Sequence, residues 1–165
     1  MAVRRLHNSE WGFDSNCFVC EPLNQAGLRI PFDHDEARGC VVAEFTLDDA
    51  FSGAPKFVHG GIVLAILDEA MAWATIAVGG KFAVTKETTT TFDHPVHVGR
   101  AYRVEAFLGE TTDATMATRA HVLDRKDRRC AEARATFVVL SAATARAAIG
   151  DIAGENSSFL RDVRN

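Results

Sequence analysis

Apolar and polar positions along the chain separate one long apolar segment from several shorter β-rich segments. The longest apolar run, 62–78, spans about 17 residues and is interrupted in its middle by Asp68 and Glu69. Its apolar residues fall on every face of a helix, so we predict a helix that other structure covers on all sides. This helix is expected to begin near Gly60-Gly61 and to end at the paired glycines 79–80, a natural stop.

Runs of β-branched and aromatic residues predict strands on both sides of that helix. Before it, a short strand is expected at 28–32 and a longer one at 40–47. After it, four strands are expected, at 85–92, 102–108, 115–123 and 131–139. The last of these contains helix-favouring Ala, Glu and Arg, but its alternation of small apolar and polar residues favours a strand. A short terminal helix is expected over 142–149.

The order of these elements predicts an α+β fold. Strands that follow one another through short turns form a largely antiparallel sheet, and a helix covered all round requires that sheet to curl about it. We divide the chain into an irregular N-terminal arm (1–27), one domain (28–140), and a short helix with a polar tail (141–165).

Composition and charge restrict the class of protein. The 165 residues suffice for one domain, and 47% hydrophobic with 24% charged residues excludes a disordered chain. A net charge of −4 argues against nucleic acid as a partner. The apolar run is at the short limit for a membrane span and carries two central acids, so we expect no membrane. No apolar stretch follows Arg4-Arg5, so we expect no secretory signal and a cytoplasmic location.

Two of the four cysteines, Cys17 and Cys20, form a C-x-x-C pair. One such pair supplies only two zinc ligands and no second pair exists, although His7 or His34 could in principle complete a site. Turn residues follow the pair, whereas a thioredoxin-like motif opens a helix. We therefore expect reduced structural thiols and no metal, with a zinc-binding interaction module as the more distant alternative.

The candidate chemistry lies at the start and in the middle of the long helix. Gly60 and Gly61 begin it, where unpaired amides and the positive dipole end can stabilise a carbonyl oxygen that develops negative charge. Asp68 is a carboxylate among apolar neighbours, as expected of a functional acid. Its neighbour Glu69 points about 100° away around the helix. We expect Glu69 to pair with an Arg or to meet solvent at a subunit seam.

Spacing along the helix has a consequence for assembly. Gly60 and Asp68 are separated by about 12 Å, whereas groups that act on one reacting centre must all lie roughly 3 Å from it. If both residues act on one substrate, they come from two chains. The protein is then at least a two-fold dimer with composite sites.

These residues also carry a resemblance to a known family. His59-Gly60-Gly61, followed by Asp68 nine residues after the histidine, resembles the signature of hot-dog-fold acyl-CoA thioesterases of the PaaI-like (4-hydroxybenzoyl-CoA thioesterase) type. The segment 16–28 is similar to the C-F-x-C-G-x-x-N-P-x-G-L opening of many such proteins, and 51–55 and 85–99 resemble the segments that flank the signature. The resemblance covers about residues 16–140.

The resemblance implies a fold and a set of roles. The fold is a curled antiparallel sheet around one central helix, and the activity is hydrolysis of an acyl-CoA to free acid and CoA. CoA is part of the substrate, and no cofactor or metal is implied. The Gly60 amide would bind the thioester oxygen, with Asp68 of the other subunit as nucleophile or general base. Thr85 would hold the water or Asp68, and His59 would orient the loop or contact the carbonyl side. Homodimers, with a dimer of dimers as a further step, are implied.

The sequence identifies the residues that contact the substrate less clearly than the catalytic residues. Our candidates for residues that contact the acyl-CoA are Gly61, Phe57, Met71, Trp73 and Phe92. For Phe57, Met71 and Trp73 the alternative is packing in the core. The basic residues of the turn 125–129 are expected to be solvated, with contact to CoA phosphates as the alternative. Two other functions remain open: a non-catalytic acyl-CoA binding or regulatory module, and an enoyl-CoA hydratase or dehydratase on the same fold. The acyl group is left open.

Overall fold

A seven-stranded antiparallel sheet curls around one long helix in the part of the chain that the structure describes. The structure is a computed structural model that describes residues 3–11 and 14–150. The strands are β1 (Val3–Leu6), β2 (Phe32–Asp35), β3 (Cys40–Thr46), β4 (Ala83–Phe92), β5 (Ala101–Thr111), β6 (Thr115–Leu123) and β7 (Arg129–Val139). The helices are α1 (Gly60–Ala77) and α2 (Ala142–Ile149). The predicted polar tail at 151–165 lies outside the described residues.

The strand order is β1-β2-β3-β5-β6-β7-β4, and every neighbouring pair is antiparallel. Strands β5, β6 and β7 follow one another through short turns, as predicted. Helix α1 connects β3 to β4, and β4 then joins the sheet at its far edge beside β7. One edge of β4 therefore has no strand beside it within the described chain. The predicted α+β architecture with a curled sheet is confirmed.

Helix α1 packs into the concave side of the sheet and forms the centre of the core. The side chains that point to the sheet are buried, among them Ile66, Leu67, Met71 and Trp73. By length and apolar composition α1 could cross a membrane, but half of its residues are buried inside this domain. A core helix meets the same criteria, because it too is apolar on most faces.

One face of α1 is only partly covered by the described residues. This face, which we call the helix stripe, consists of Gly61, Leu64, Ala65, Asp68 and Ala72, and all five residues are partly or fully exposed. They recur at the helical spacing of three to four residues, so they lie on one side. The sequence predicts a helix covered on every side, whereas residues 3–11 and 14–150 leave this stripe partly open.

A β-bulge at Lys86 decides which side chains of β4 face α1. Strand β4 has one extra residue at this point relative to β7. Because directly paired residues share a face of the sheet, the buried residues of β7 identify the inward positions of β4. Those inward positions, which we call the β4 strip, are Thr85, Thr88, Thr90 and Phe92. Without the bulge, Thr85 would face away from the other three.

Two expectations for the N-terminal region are wrong. The arm is not wholly irregular, since β1 pairs with β2 and Arg5 forms an ion pair with Asp33. The strand predicted at 28–32 lies instead at Phe32–Asp35. The amides of Leu28 and Ile30 donate to the carbonyls of residues 18 and 19, so these apolar residues hold the Cys17–Cys20 loop on the core instead of extending the sheet.

Candidate active site

The start of α1 leaves one backbone donor open. The N–H of Gly61 donates to Nδ1 of His59 (2.9 Å), so the imidazole acts as the helix N-cap. The N–H groups of Ile62 and Val63 donate to the carbonyl of His59 (2.9 and 3.1 Å). The Gly60 N–H makes no hydrogen bond to any described residue, and Gly60 is exposed. This amide therefore points its donor to the surface at the positive end of the helix dipole.

The capping arrangement depends on two glycines around His59. A Cβ on Gly61 would lie 3.1 Å from His59 Nδ1, and a Cβ on Gly53 would lie 3.3 Å from His59 Cα. Both positions are tighter than usual for side-chain contacts, so glycine makes room for the ring. Because Nδ1 accepts a hydrogen bond, a neutral His59 carries its proton on Nε2. Gly61 thus shapes the helix start, and its amide is already used.

Asp68 is held by a strand residue. The hydroxyl of Thr85 on β4 donates to Oδ1 of Asp68 (2.7 Å), which links the helix stripe to the β4 strip. One carboxylate oxygen is engaged in this way, and Oδ2 has no hydrogen bond to any described residue. Asp68 is only partly buried, so water or a substrate can reach it.

The β4 strip runs beside α1 from Asp68 to the helix start. Thr85 contacts Asp68 at one end, and a Cβ on Gly60 would lie 3.8 Å from the ring of Phe92 at the other. Between them, the buried hydroxyl oxygens of Thr88 and Thr90 have no hydrogen-bond partner in the described part of the chain. Sequence reasoning did not single out these two residues, because only the bulge turns them inward.

The predicted substrate contacts fall into two groups. Phe57 and Phe92 are accessible, at 38% and 53% exposure, and Phe57 packs edge-on against His97 with ring centroids 5.0 Å apart. Met71 and Trp73, at 0% and 2% exposure, are packed in the core. An acyl chain would therefore reach these two residues only by entering the core beside α1.

A basic groove of about 490 Å³ lies next to His97. Among its lining residues are Arg100, Arg125, Lys126 and Arg128, with Arg128 also bonded to Asp124. Burial and the nearby cations, Arg100 first among them, hold the pKa of His97 below its ordinary value.

The sequence signalled the basic turn but neither Arg100 nor the groove. The basic residue at the end of that turn, Arg129, does not line the groove. It pairs instead with Asp93 and Glu132, each at 2.8 Å.

Glu69 contacts cysteines and pairs with no arginine in the described part of the chain, so the expected arginine partner is wrong, while the expected place at a subunit seam stays a prediction. Its Oε1 lies 3.3 Å from the sulfur of Cys17. Burial, reinforced by the charge of Cys17, raises the pKa of Glu69 to about 8. The hydrogen bond from the Cys20 thiol, helped by backbone N–H groups, lowers the pKa of Cys17 to about 5. The pKa of Cys20 is raised, because its thiol donates to Cys17 and is buried.

The candidate site lies in the part of the chain that resembles a known protein family. Residues 56–131 match the family model described as thioesterase superfamily. This range contains Gly60, Asp68 and Thr85. No curated protein sequence matches the chain.

Solved structures show similar folds. The chain is similar to a crystal structure of a thioesterase superfamily protein, with 23% identity and a TM-score of 0.67 over 71% of this chain. The match spans 57% of that protein's length.

Two further structures are similar over most of their own length. The PaaI protein of E. coli, from the phenylacetic acid degradation operon, gives 20% identity and a TM-score of 0.62 over 69% of this chain and 81% of that one. A Streptococcus mutans UA159 protein bound to acetyl CoA gives 20% identity and a TM-score of 0.59 over 62% and 82%. At these identities the likeness shows the fold alone.

Proposed function

We propose that this chain is a hot-dog-fold thioesterase that hydrolyses the thioester bond of an acyl-CoA to give a free acid and CoA. The observation that carries the proposal is the exposed Gly60 N–H, which has no partner in the described chain and stands at the positive end of α1. A preorganised backbone donor of this kind stabilises the oxyanion of a tetrahedral intermediate. The acetyl CoA bound to the Streptococcus mutans protein supports an acyl-CoA as the ligand.

The reaction divides between two groups. The thioester oxygen accepts a hydrogen bond from Gly60, which polarises the carbonyl carbon. Asp68 then either takes a proton from water as water attacks that carbon, or attacks it directly and is released by water afterwards. In both cases the C–S bond breaks and CoA leaves as the thiolate, which takes up a proton. Thr85 holds one Asp68 oxygen and leaves the other for the reaction.

The two groups come from different subunits in this proposal. Eight residues of helix separate them by about 12 Å, too far for one reacting centre. The helix stripe and the open edge of β4 support a two-fold dimer, since each presents surface that a second copy can cover. Two antiparallel copies of α1 that cross near Leu64 would bring Gly60 of one chain opposite Asp68 of the other.

The basic groove supports CoA as the thiol part of the substrate. Its three arginines and one lysine match the negative charge of the CoA phosphates, which arginine binds well. The groove reaches the site through His97, whose ring contacts Phe57 two residues before the helix cap. We therefore favour phosphate contact over a purely solvated turn for Arg125, Lys126 and Arg128.

Release of thiol from a panel of acyl-CoAs tests the reaction. We expect Asp68→Asn to lower kcat at least about a hundredfold, the usual contribution of a general base. Gly60→Pro removes the N–H but keeps a residue that suits the first helical position, and should cost about 10²–10³ in kcat. Gly60→Ala keeps the N–H, and its Cβ would meet only ordinary contacts, so it should retain activity.

Mixed dimers test the composite site. Asp68→Asn and Gly60→Pro homodimers should each turn over at least about a hundredfold more slowly than wild type. A co-expressed heterodimer of the two contains one site without either lesion, so it should recover about half of the wild-type activity. Failure to recover activity in a verified heterodimer would reject sites shared between subunits.

The same panel separates the alternatives. Tight acyl-CoA binding without turnover would favour a binding module, and hydrated product from an enoyl-CoA would favour a hydratase. Full activity of both Asp68→Asn and Gly60→Pro would overturn the proposed mechanism.

A further inference from the structure

A second cluster of chemically active side chains lies outside the proposed reaction. Cys17 and Cys20 come from the loop before β2, and Glu69 comes from α1, the residue after Asp68. One ligand atom of each residue lies within 4.8 Å of those of the other two. The fold thus brings a carboxylate to two sulfurs that lie about fifty positions before it in the sequence.

The loop that carries the cysteines is shaped to support a negatively charged sulfur. The backbone N–H groups of Val19 and Cys20 both donate to Cys17 Sγ, at 3.3 and 3.4 Å. The side-chain amide of Asn8 donates to Cys20 Sγ at 3.7 Å. Hydrogen bonds to a sulfur stabilise its thiolate form, which is the form that binds metals.

The same loop is also closed tightly on itself. The side-chain amide of Asn24 donates to the carbonyls of Asn16 and Cys17, at 3.0 and 3.4 Å. A Cβ on Gly27 would lie 2.5 Å from the carbonyl oxygen of Phe18, so only glycine allows this close return of the chain. The two sulfurs are therefore positioned before any ion binds, which lowers the ordering cost of a metal site.

The dimensions of the cluster suit a tetrahedral zinc ion. With Zn–S near 2.3 Å and Zn–O near 2.1 Å, a tetrahedral site separates sulfur from oxygen by roughly 3.6 Å and the two sulfurs by roughly 3.8 Å. The observed distance between Cys17 Sγ and Glu69 Oε1 is 3.3 Å. This pair needs to move by only a few tenths of an ångström to bind the ion.

We propose that Cys17, Cys20 and Glu69 form a Zn²⁺ site that fastens the cysteine loop to α1. Two thiolates select zinc-class ions over magnesium or calcium. No fourth His, Cys, Asp or Glu among residues 3–11 and 14–150 joins the cluster, so neither His7 nor His34 belongs to it. The fourth position is taken by water or an added ligand. The ion would also stabilise the turn of α1 that carries Asp68, independently of any thioester chemistry.

Cobalt substitution of the whole protein gives a direct spectroscopic test. We expect metal-free, reduced protein to take up about one Co²⁺ per chain and to show a sulfur-to-cobalt charge-transfer band in the near ultraviolet, as two thiolate ligands require. Zn²⁺ should then remove the band. Cys17→Ser and Cys20→Ser should each weaken the band by about half or more. Cys130→Ala, which removes a buried thiol outside the cluster, should leave it unchanged.

Thermal melting supplies a readout that does not depend on variants or on activity. Wild-type protein loaded with Zn²⁺ should lose thermal stability when a chelator removes the ion, because the ion binds only the folded site. Absence of the cobalt band in reduced, folded wild-type protein would overturn the proposal. A Cys17→Ser protein that binds Co²⁺ as wild type does would also overturn it, as would a Cys17–Cys20 disulfide that forms with no metal uptake after reduction.

Discussion

At the scale of single residues, hydrogen bonds from neighbouring side chains fix the backbone amides and the carboxylate of the candidate site. His59 caps α1 and uses the Gly61 amide, which leaves the Gly60 amide open. Thr85 holds Asp68 from the neighbouring strand. The family resemblance singled out all five residues, but only the structure divides the two glycine amides between a capping role and an open donor.

The Thr85 hydroxyl is expected to position Asp68 and not to bind the substrate. Thr85→Val keeps the shape of the side chain and removes one hydrogen bond worth about 1 kcal/mol, so kcat should fall about five- to tenfold with KM little changed. Thr85→Ser should restore most of the rate. Thr89→Val, on the outward face of the same strand, is the control and should match wild type. If Thr85→Val instead raised KM by about the same factor, Thr85 would contact the substrate.

At the scale of elements, the C-terminal end of α1 is fixed by close packing, whereas its N-terminal end at Gly60 has room for a side chain. The chain leaves α1 through Gly79, where a Cβ would lie 2.7 Å from the carbonyl of Thr75 and would overlap Met116. Both neighbours are buried, so neither can move away freely. The glycine that the sequence suggested as a helix stop is also required by packing against β6.

Substitution at this glycine should destabilise the domain. Gly79→Ala forces a methyl group into a filled space, and overpacking of this kind costs about 1–3 kcal/mol of unfolding free energy. Gly60→Ala, at the open end of the same helix, should change stability by less than about 1 kcal/mol. Urea denaturation of both variants measures the difference. Equal stability of the two would contradict the packing of Gly79.

At the scale of the whole molecule, a buried carboxylate ties the sheet together. The side chain of Glu105 on β5 is only 6% exposed and accepts hydrogen bonds from Arg38 and Arg103 at 2.8–3.2 Å. His121 lies 3.5 Å away. Burial would raise the pKa of Glu105, but the two arginines more than offset it and hold the pKa at about 2.

This network predicts loss of stability in acid. Because the pKa of Glu105 is lower in the folded than in the unfolded chain, its contribution is complete above about pH 4.5 and is lost as pH falls towards 2. Glu105→Gln should lower the unfolding free energy at neutral pH by about 1–3 kcal/mol. The variant should also show a flatter decline between about pH 5 and 3.

The matched control for this network is Glu110→Gln, an exposed position on the same strand. Urea denaturation across that pH range should show the wild-type decline in the control. If the unfolding free energy of Glu105→Gln also declined with pH as steeply as that of wild type, the acid sensitivity would belong to other groups.

Local pattern was sufficient for most of the fold. The bounds of α1 are predicted to within about one residue, and β6 and α2 are predicted at their observed bounds. Hydrophobic periodicity and glycine stops are local properties of the chain, so they can be read without knowing what packs where. The signature of His59, Gly60 and Asp68 is likewise local, because it lies within one helix and its cap.

Features that depend on contacts between distant parts of the chain were decided only by the tertiary structure. Strand β1 forms because it pairs with β2. Its four residues are too few for their pattern to predict a strand by itself. The bulge at Lys86 turns Thr88 and Thr90 inward, and a shift of one residue leaves no mark in a run of threonines. The basic groove gains Arg100 from a separate loop. Glu69 meets Cys17 only because the N-terminal loop folds onto α1, a juxtaposition created by packing and absent from any local spacing.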